Sequence, residues 1–183
     1  MNIDVKALNE IDLTNLGELI TGYNNHKNYF LEIPGKEHYK LLAYMSTLFN
    51  DTVLLDVGTN RGLSGLALSY NDKNKVISFD LEDVKQLTGW PSNVSYLLGW
   101  VTMPEYKPTV MESSFIFLDT MHDGIFEHQF YHYLRSIGWK GILMLDDIKL
   151  NQRMKEFWEC IEEEKYDISK HGHWSGTGAV FFS

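Results

Sequence analysis

The sequence predicts a three-layer α/β fold around a mostly parallel sheet, and three observations predict it. The stretch VLLDVGTNRGLSGLAL, Val53 to Leu68, reads as strand, glycine turn and helix. Further apolar runs of strand length recur at KVISFD, VSYLLGW, FIFLD and ILML. Residues beside these runs repeat at helical spacing, so the two periods alternate along the chain. Val53 to Leu55 shows no polar alternation, the pattern of a strand buried on both faces of a parallel sheet. With 183 residues the chain is long enough for one core and short for two. It is expected to be one domain, 1–183, with residues 1–35 as an N-terminal entry or lid segment and 36–183 as the core.

Composition excludes several classes of function. Hydrophobic content of 44% and aromatic content of 14% suit a packed domain. A formal charge of −9, with no basic run, argues against nucleic acid as a partner. The start, MNIDVKALNEIDL, is acidic and lacks the apolar core of a secretory signal. No apolar run approaches the ~20 residues of a membrane span. The single cysteine, Cys160, lies on a predicted helix beside Phe157, Trp158 and Ile161 and is expected to be a buried thiol in a reducing, cytoplasmic compartment.

In chain order, Leu16, Leu19 and Ile20 predict a short helix stopping near Gly22, and the polar run Asn24 to Asn28 predicts a loop. His26 and Tyr29 read as parts of a solvated entry segment. After the Pro34-Gly35 break, Leu41, Leu42, Met45, Leu48 and Phe49 trace one face of a helix leading into the first strand. Beyond the glycine turn, Leu63, Leu66, Ala67 and Tyr70 form the inner stripe of a helix. The second strand, KVISFD, ends in Asp80, and the third ends at Gly99 and Trp100. FIFLD ends in Asp119, followed by a helix with Phe126, Phe130, Tyr133 and Leu134 on one face. ILML ends in Asp146-Asp147. A core helix with Met154, Phe157, Trp158 and Ile161 follows, and GTGAVFFS closes the chain as a strand.

The glycine turn sits at a strand's carboxyl end, the edge where open α/β sheets bind ligands, and the helix start favours a negatively charged group. A dinucleotide fingerprint needs glycine where Asn60 stands, and no Lys-Ser or Lys-Thr pair follows Gly62. What remains is Asp-x-Gly-x-x-x-Gly-x-Ser, carried by Asp56, Gly58, Gly62 and Ser64. This resembles motif I of class I S-adenosylmethionine-dependent methyltransferases, in the metal-dependent branch of catechol and macrocin-type sugar O-methyltransferases. The resemblance spans Glu37 to Ser183. It implies a Rossmann-like, seven-stranded sheet whose last strand is antiparallel. It also implies S-adenosylmethionine contacts at Asp56, Gly58, Thr59, Asn60, Arg61, Gly62, Ser64, Asp80, Leu81, Gly99, Trp100 and Asp119. An acid about twenty residues past the glycine loop can accept both ribose hydroxyls. Asp80 is that acid, with Glu82 the nearby alternative, and NAD would be served equally well. Trp90 and Trp100 each offer a flat wall for adenine.

Three carboxylates, Asp119, Asp146 and Asp147, project from two strand ends and make a hard oxygen site suited to Mg²⁺, Mn²⁺ or Ca²⁺ rather than zinc. In the branch this chain resembles, an aspartate after strand four and an acidic pair after strand five hold Mg²⁺, and these three match one by one. Sugar-modifying members often read Asp-Gly-Asp-His where this chain reads Asp-Thr-Met-His. Met121 therefore departs from the pattern by replacing an acid that could act as base. Proton removal shifts to His122, to water or to a metal-bound hydroxyl. Asp119 and His122 are the expected catalytic residues, an imidazole having a pKa suited to base work near neutrality. His128 and His132 lack the H-E-x-x-H pattern of a zinc site, and His171 and His173 read as a solvated loop. The expected reaction is methyl transfer to a hydroxyl of a sugar, glycoside or similar vicinal diol, assisted by Mg²⁺ or Mn²⁺. The rivals are a catechol-type enzyme, an adenosyl- or NAD-binding enzyme like the cephalosporin hydroxylases, and a non-catalytic domain. The implied partner is a small-molecule or glycan acceptor, with no membrane and a homo-oligomer left open.

Overall fold

The computed structural model describes residues 1–21 and 24–183. Seven strands form one sheet: β1 (Val53–Val57), β2 (Lys75–Asp80), β3 (Val94–Leu98), β4 (Ser113–Leu118), β5 (Gly141–Asp146), β6 (Glu164–Asp167) and β7 (Thr177–Phe182). Their order is β3-β2-β1-β4-β5-β7-β6. β1 to β5 pair in parallel, while β7 runs antiparallel to both β5 and β6. The mostly parallel sheet with an antiparallel last strand is therefore present. After β3 the chain returns to the other side of β1, so the order reverses between β1 and β4 and opens a crevice at their carboxyl ends.

The apolar runs lack alternation because both faces are covered. Leu54, Val76, Phe115 and Met144 pack toward one layer, which includes α1 (Val5–Glu10), α4 (Lys36–Thr47) and α5 (Leu63–Leu68). Their neighbours Leu55, Ile77, Ile116 and Leu143 pack toward α6 (Lys107–Glu112), α7 (Ile125–Ile137) and α8 (Gln152–Cys160) on the other side. This is the period of two expected of a pleated strand.

The N-terminal segment differs from expectation. Besides α1, it forms α2 (Thr14–Gly17) and α3 (Asn24–Leu31), so the polar run 24–28 is helical rather than a loop; Gly22 lies outside the described residues. Ile3, Leu8, Ile11, Leu13 and Phe30 are buried in the same core as Leu41 and Leu42. Polar composition hid this, because a helix needs only a narrow apolar stripe to dock. On α4, Leu41, Leu42 and Met45 are buried as expected, whereas Leu48, at the cap, is exposed. Cys160, the last residue of α8, is exposed and not a buried thiol, since the buried face of that helix is Met154 and Phe157. Among the described residues no helix is long and apolar enough to cross a membrane.

Candidate active site

Three loops at the carboxyl edge are stitched to one another. The N–H groups of Gly58 and Thr59 both donate to the Phe79 carbonyl, at 2.9 and 3.1 Å, and Asp119 N–H donates to the Val57 carbonyl at 3.0 Å. Gly58 has φ +88°, and a Cβ there would overlap the Asp119 carbonyl oxygen. Only glycine lets the β1 and β4 exits approach so closely. Asn60, at φ +47°, donates its N–H to Asp80 Oδ2 at 2.6 Å. The other oxygen of Asp80 accepts from the N–H groups of Leu81 (2.7 Å) and Glu82 (3.1 Å). A carboxylate offers about four acceptor positions, so at least one remains for a ligand.

Two cavities flank the glycine loop. The larger, about 640 Å³, is lined by Gly58, Asp80, Leu81, Gly99, Trp100 and Phe126, among others. The smaller, about 180 Å³, is lined by His26, Tyr29, Tyr39, Thr59 and Ser64. Gly58, Asn60, Arg61 and Asp119 belong to both walls, so the cavities meet at the β1–β4 switch point. His26 and Tyr29 thus line the smaller cavity, Tyr29 remaining 52% exposed, and His26 Nε2 contacts the Arg61 guanidinium.

Beside Asp119 lies a cluster of three aspartates and three histidines. His122 Nε2 stands 3.0 Å from Asp119 Oδ1 and 3.6 Å from Asp147 Oδ2. His173 Nδ1 is 3.1 Å from Asp147 Oδ1 and 3.7 Å from Asp146 Oδ2. Ser175 Oγ donates to Asp147 Oδ1. His38, on the first turn of α4, is only 6% exposed, and its Nδ1 faces Asp146 Oδ1 at 3.7 Å. Neither of those two buried atoms has a hydrogen-bond partner. Among the described residues, two groups bring their ligand atoms within 4.8 Å of one another: His38, Asp119 and Asp146, and His122, Asp146 and Asp147. The three aspartates expected as one ligand set are not such a group; Asp146 is shared, with Asp119 and Asp147 on either side.

Crowding tunes these groups. Burial, reinforced by Asp119 and Asp147, holds the Asp146 carboxyl well above the usual carboxylate range. Burial pushes Asp147 upward too, but hydrogen bonds from His173 and Ser175 and the nearby His122 outweigh it and leave it lowered. The bond to Asp147 raises His173. Burial drives His38 down to about 4. Burial also pulls on His122, but Asp119, Asp147 and Asp146 overcome it and raise the imidazole to about 9. The sequence alone led one to expect a base poised near neutrality; with no cation beside the three carboxylates, they hold the imidazole above that range.

The backbone around His122 is held from two sides. Glu127, buried on α7, accepts from His122 N–H (3.0 Å) and from Thr120 Oγ1 (2.7 Å), while Asn151 Nδ2 donates to the His122 carbonyl at 2.8 Å. His122 and Asp147 both take left-handed backbone, φ +55° and +59°, as Asn60 does. Such strain in non-glycine residues gathers at functional sites.

Most expected cofactor contacts lie on the cavity walls, but Asp56 and Gly62 do not. Asp56 is fully buried behind the loop, accepting from Ser78 Oγ at 2.9 Å, and burial raises its carboxyl to about 6 against the pull of Thr59, Ser64 and Ser78. Gly62, at φ +93°, starts α5 against Trp90, whose ring stacks on Tyr96. Trp90 is thus packing, while Trp100, 50% exposed, lines the larger cavity. His128 and His132 stand one turn apart on α7, His128 against Phe157 and His132 exposed. His173, expected in a solvated loop, is part of the cluster, and sequence reasoning missed His38 and Glu127 altogether. His38 stands alone on an apolar helix face and Glu127 looks like a helix-start acid, so no local spacing marks either.

No family model and no curated protein matches this chain. Solved structures do match its fold. A cofactor-bound protein, Rv0187, from MTB superposes with a TM-score of 0.60 at 15% identity, covering 97% of this chain and 88% of that one. A candidate caffeoyl-CoA O-methyltransferase from Staphylococcus aureus gives 0.59 at 12% identity, covering 100% and 93%. The O-methyltransferase TomG from Streptomyces achromogenes, involved in tomaymycin synthesis and solved in complex with SAM, gives 0.58 at 14% identity over 100% of both chains. The chain thus shares the α/β fold of these proteins, with a seven-stranded, mostly parallel sheet.

Proposed function

We propose that this protein transfers a methyl group from S-adenosylmethionine to a hydroxyl oxygen of a small, sugar-like acceptor, with a divalent cation at the acidic cluster. One observation carries the reading: two cavities of unequal size share the glycine loop and Asp119, and the acid–histidine cluster borders that junction. A donor in one chamber and an acceptor in the other would meet there. The larger cavity falls within the size range of small-molecule sites. The free acceptor position of Asp80 would take a ribose hydroxyl, Glu82 standing next to it, and Trp100 would form the wall for adenine. Gly58 and Asn60 present backbone to the remainder of the donor.

The sulfonium carries its own electrophile, so the protein's work is to align oxygen, methyl carbon and sulfur and to favour charge developing on the oxygen. Asp119 and Asp146 would hold the cation, and the chemistry a divalent ion supplies there is stabilisation of negative charge on the acceptor oxygen. His122 would then serve as proton acceptor, because carboxylates whose charge is compensated no longer pull its pKa upward. Trp174, 77% exposed and 5.7 Å from the His173 ring centroid to centroid, offers an apolar face of the kind that sugars stack upon.

A metal-free version of the reaction is favoured by one observation. The His122 imidazole stands between Asp119 and Asp147, where it can act as the counter-charge itself. Calorimetry with S-adenosylmethionine, S-adenosylhomocysteine and NAD, followed by a methyl-transfer screen over sugars and catechols with and without EDTA, tests both versions. Binding of the adenosyl donors but not NAD is expected, with EDTA abolishing turnover and sparing donor affinity. NAD binding alone would end the methyltransferase reading. Full turnover in EDTA would transfer the cation's role to His122.

A further inference from the structure

The two candidate cation positions are not equivalent. On the side of His122, Asp147 Oδ1 already accepts from Ser175 and contacts His173, which leaves His122 Nε2, 3.0 Å from Asp119 Oδ1 but without a hydrogen bond, as the one unsatisfied donor atom there. On the other side, His38 Nδ1 and Asp146 Oδ1 face each other at 3.7 Å, both buried and both without a partner. Buried polar atoms are nearly always satisfied, so a pair left facing each other points to a group that is meant to lie between them. Asp119 completes that triad, its ligand atom within 4.8 Å of both others. The ring of His38 is fixed edge-on to Tyr39 (5.1 Å) and beside Phe117 (5.5 Å), so the nitrogen is presented by rigid packing.

We infer that the cation is held on the His38 side of the cluster, by His38 Nδ1, Asp146 Oδ1 and a carboxylate oxygen of Asp119, and that the imidazole makes the site select a first-row transition-metal ion over Mg²⁺. This rests on the cation-assisted reading above and changes its ligand set. Asp147 leaves the coordination sphere and becomes a positioning residue, fixing His122 and His173 through its two oxygens. Mixed nitrogen and carboxylate donors suit Mn²⁺, Fe²⁺ or Co²⁺, whereas Mg²⁺ prefers oxygen throughout and keeps several waters. The sixfold needs of such an ion leave positions for acceptor oxygens beyond the three protein atoms.

The test uses the full chain and MnCl₂ as probe, read by electron paramagnetic resonance. Competition with MgCl₂ should show Mn²⁺ bound about tenfold or more tightly than Mg²⁺. Pulsed spectra of the bound Mn²⁺ should show coupling to a directly coordinated ¹⁴N. In His38→Phe, whose ring keeps the aromatic contacts with Tyr39 and Phe117, that coupling should vanish and the preference over Mg²⁺ collapse. His122→Phe and His173→Phe should each retain the coupling. Bound Mn²⁺ without nitrogen coupling in the wild-type chain overturns the inference, as does coupling that survives His38→Phe or disappears in either of the other variants. These results leave cation-assisted transfer standing. Failure of the wild-type chain to bind Mn²⁺ overturns both, and donor calorimetry then tells whether the methyltransferase reading survives. Where His38→Phe fails to fold, coupling that persists in both His122→Phe and His173→Phe still assigns the nitrogen to His38, and its loss in either overturns the inference.

Discussion

Asp56→Asn separates the structural role of the first acid of the glycine motif from a ligand-binding one. Asp56 is fully buried, and burial raises its carboxyl from 3.8 to about 6. A native state that holds the proton more tightly takes one up on folding between those two values, so stability from this group falls as pH rises through the window. The cost is absent below pH 3.8 and complete above about 6. At 1.36 kcal/mol per pH unit, the interval corresponds to about 3 kcal/mol. The asparagine amide cannot ionise, and the hydroxyls of Thr59, Ser64 and Ser78 can turn from donors to acceptors around it. The variant should therefore match wild type near pH 4 and gain up to about 3 kcal/mol by pH 8. Urea unfolding of both proteins across that range measures the difference. Affinity for S-adenosylmethionine should stay within about threefold, because the side chain lines neither cavity. A pH-independent difference, or a variant less stable at pH 8, would refute the assignment of Asp56 as a buried carboxyl strained by its ionised form. A large loss of affinity would return it to the cofactor.

Asp80→Ala should weaken S-adenosylmethionine binding by about tenfold or more in calorimetry, since a hydrogen bond to a charged group contributes roughly 1.5–3 kcal/mol; unchanged affinity would pass the ribose to Glu82. Gly58→Ala should lower stability in urea by at least ~2 kcal/mol, given the overlap with the Asp119 carbonyl and the positive φ, and a neutral outcome would contradict the close approach of the β1 and β4 exits. Trp174→Ala should raise KM for a sugar acceptor by about tenfold with kcat within a factor of two, as expected for a stacking surface that binds ground and transition state alike. A kcat effect would place Trp174 closer to the reacting atoms.

The parts of this site legible in the sequence share a physical signature, namely a regular element that ends in a polar residue. Asp80 and Asp146 end apolar strands and Asp119 follows one, so strand assignment alone brings them to one edge. Gly58 was legible for the same reason, though the contact that demands it, the Asp119 carbonyl, lies sixty-one residues away and leaves no local trace. Three features were illegible. Asp56 has the motif position of a ligand-binding acid, and only the depth of β1 reveals that it points into the helix–sheet interface. His38 needs the docking of α4 to acquire its neighbours. His173 reaches Asp147 because the turn after residues 169–171 folds back before β7, a long-range arrangement no spacing encodes.

The N-terminal helices then change what the site can be. A sheet edge with three aspartates alone would be an open, hydrated patch, where like charges are screened and a magnesium ion could keep most of its water. Here Ile3, Leu8 and Ile11 secure α4 against the core, and α4 brings His38 against Asp146. The entry segment adds His26 and Tyr29 to the wall of the smaller cavity. Burial is what raises Asp146 and lowers His38, so the same packing that excludes water also sets the charge state of the donors. Removing residues 1–31 should thus do more than shorten a lid. It would strip apolar cover from α4, rehydrate the His38–Asp146 pair and return the cluster toward plain oxygen chemistry, so the Mn²⁺ preference should fall even in a truncated chain that still folds.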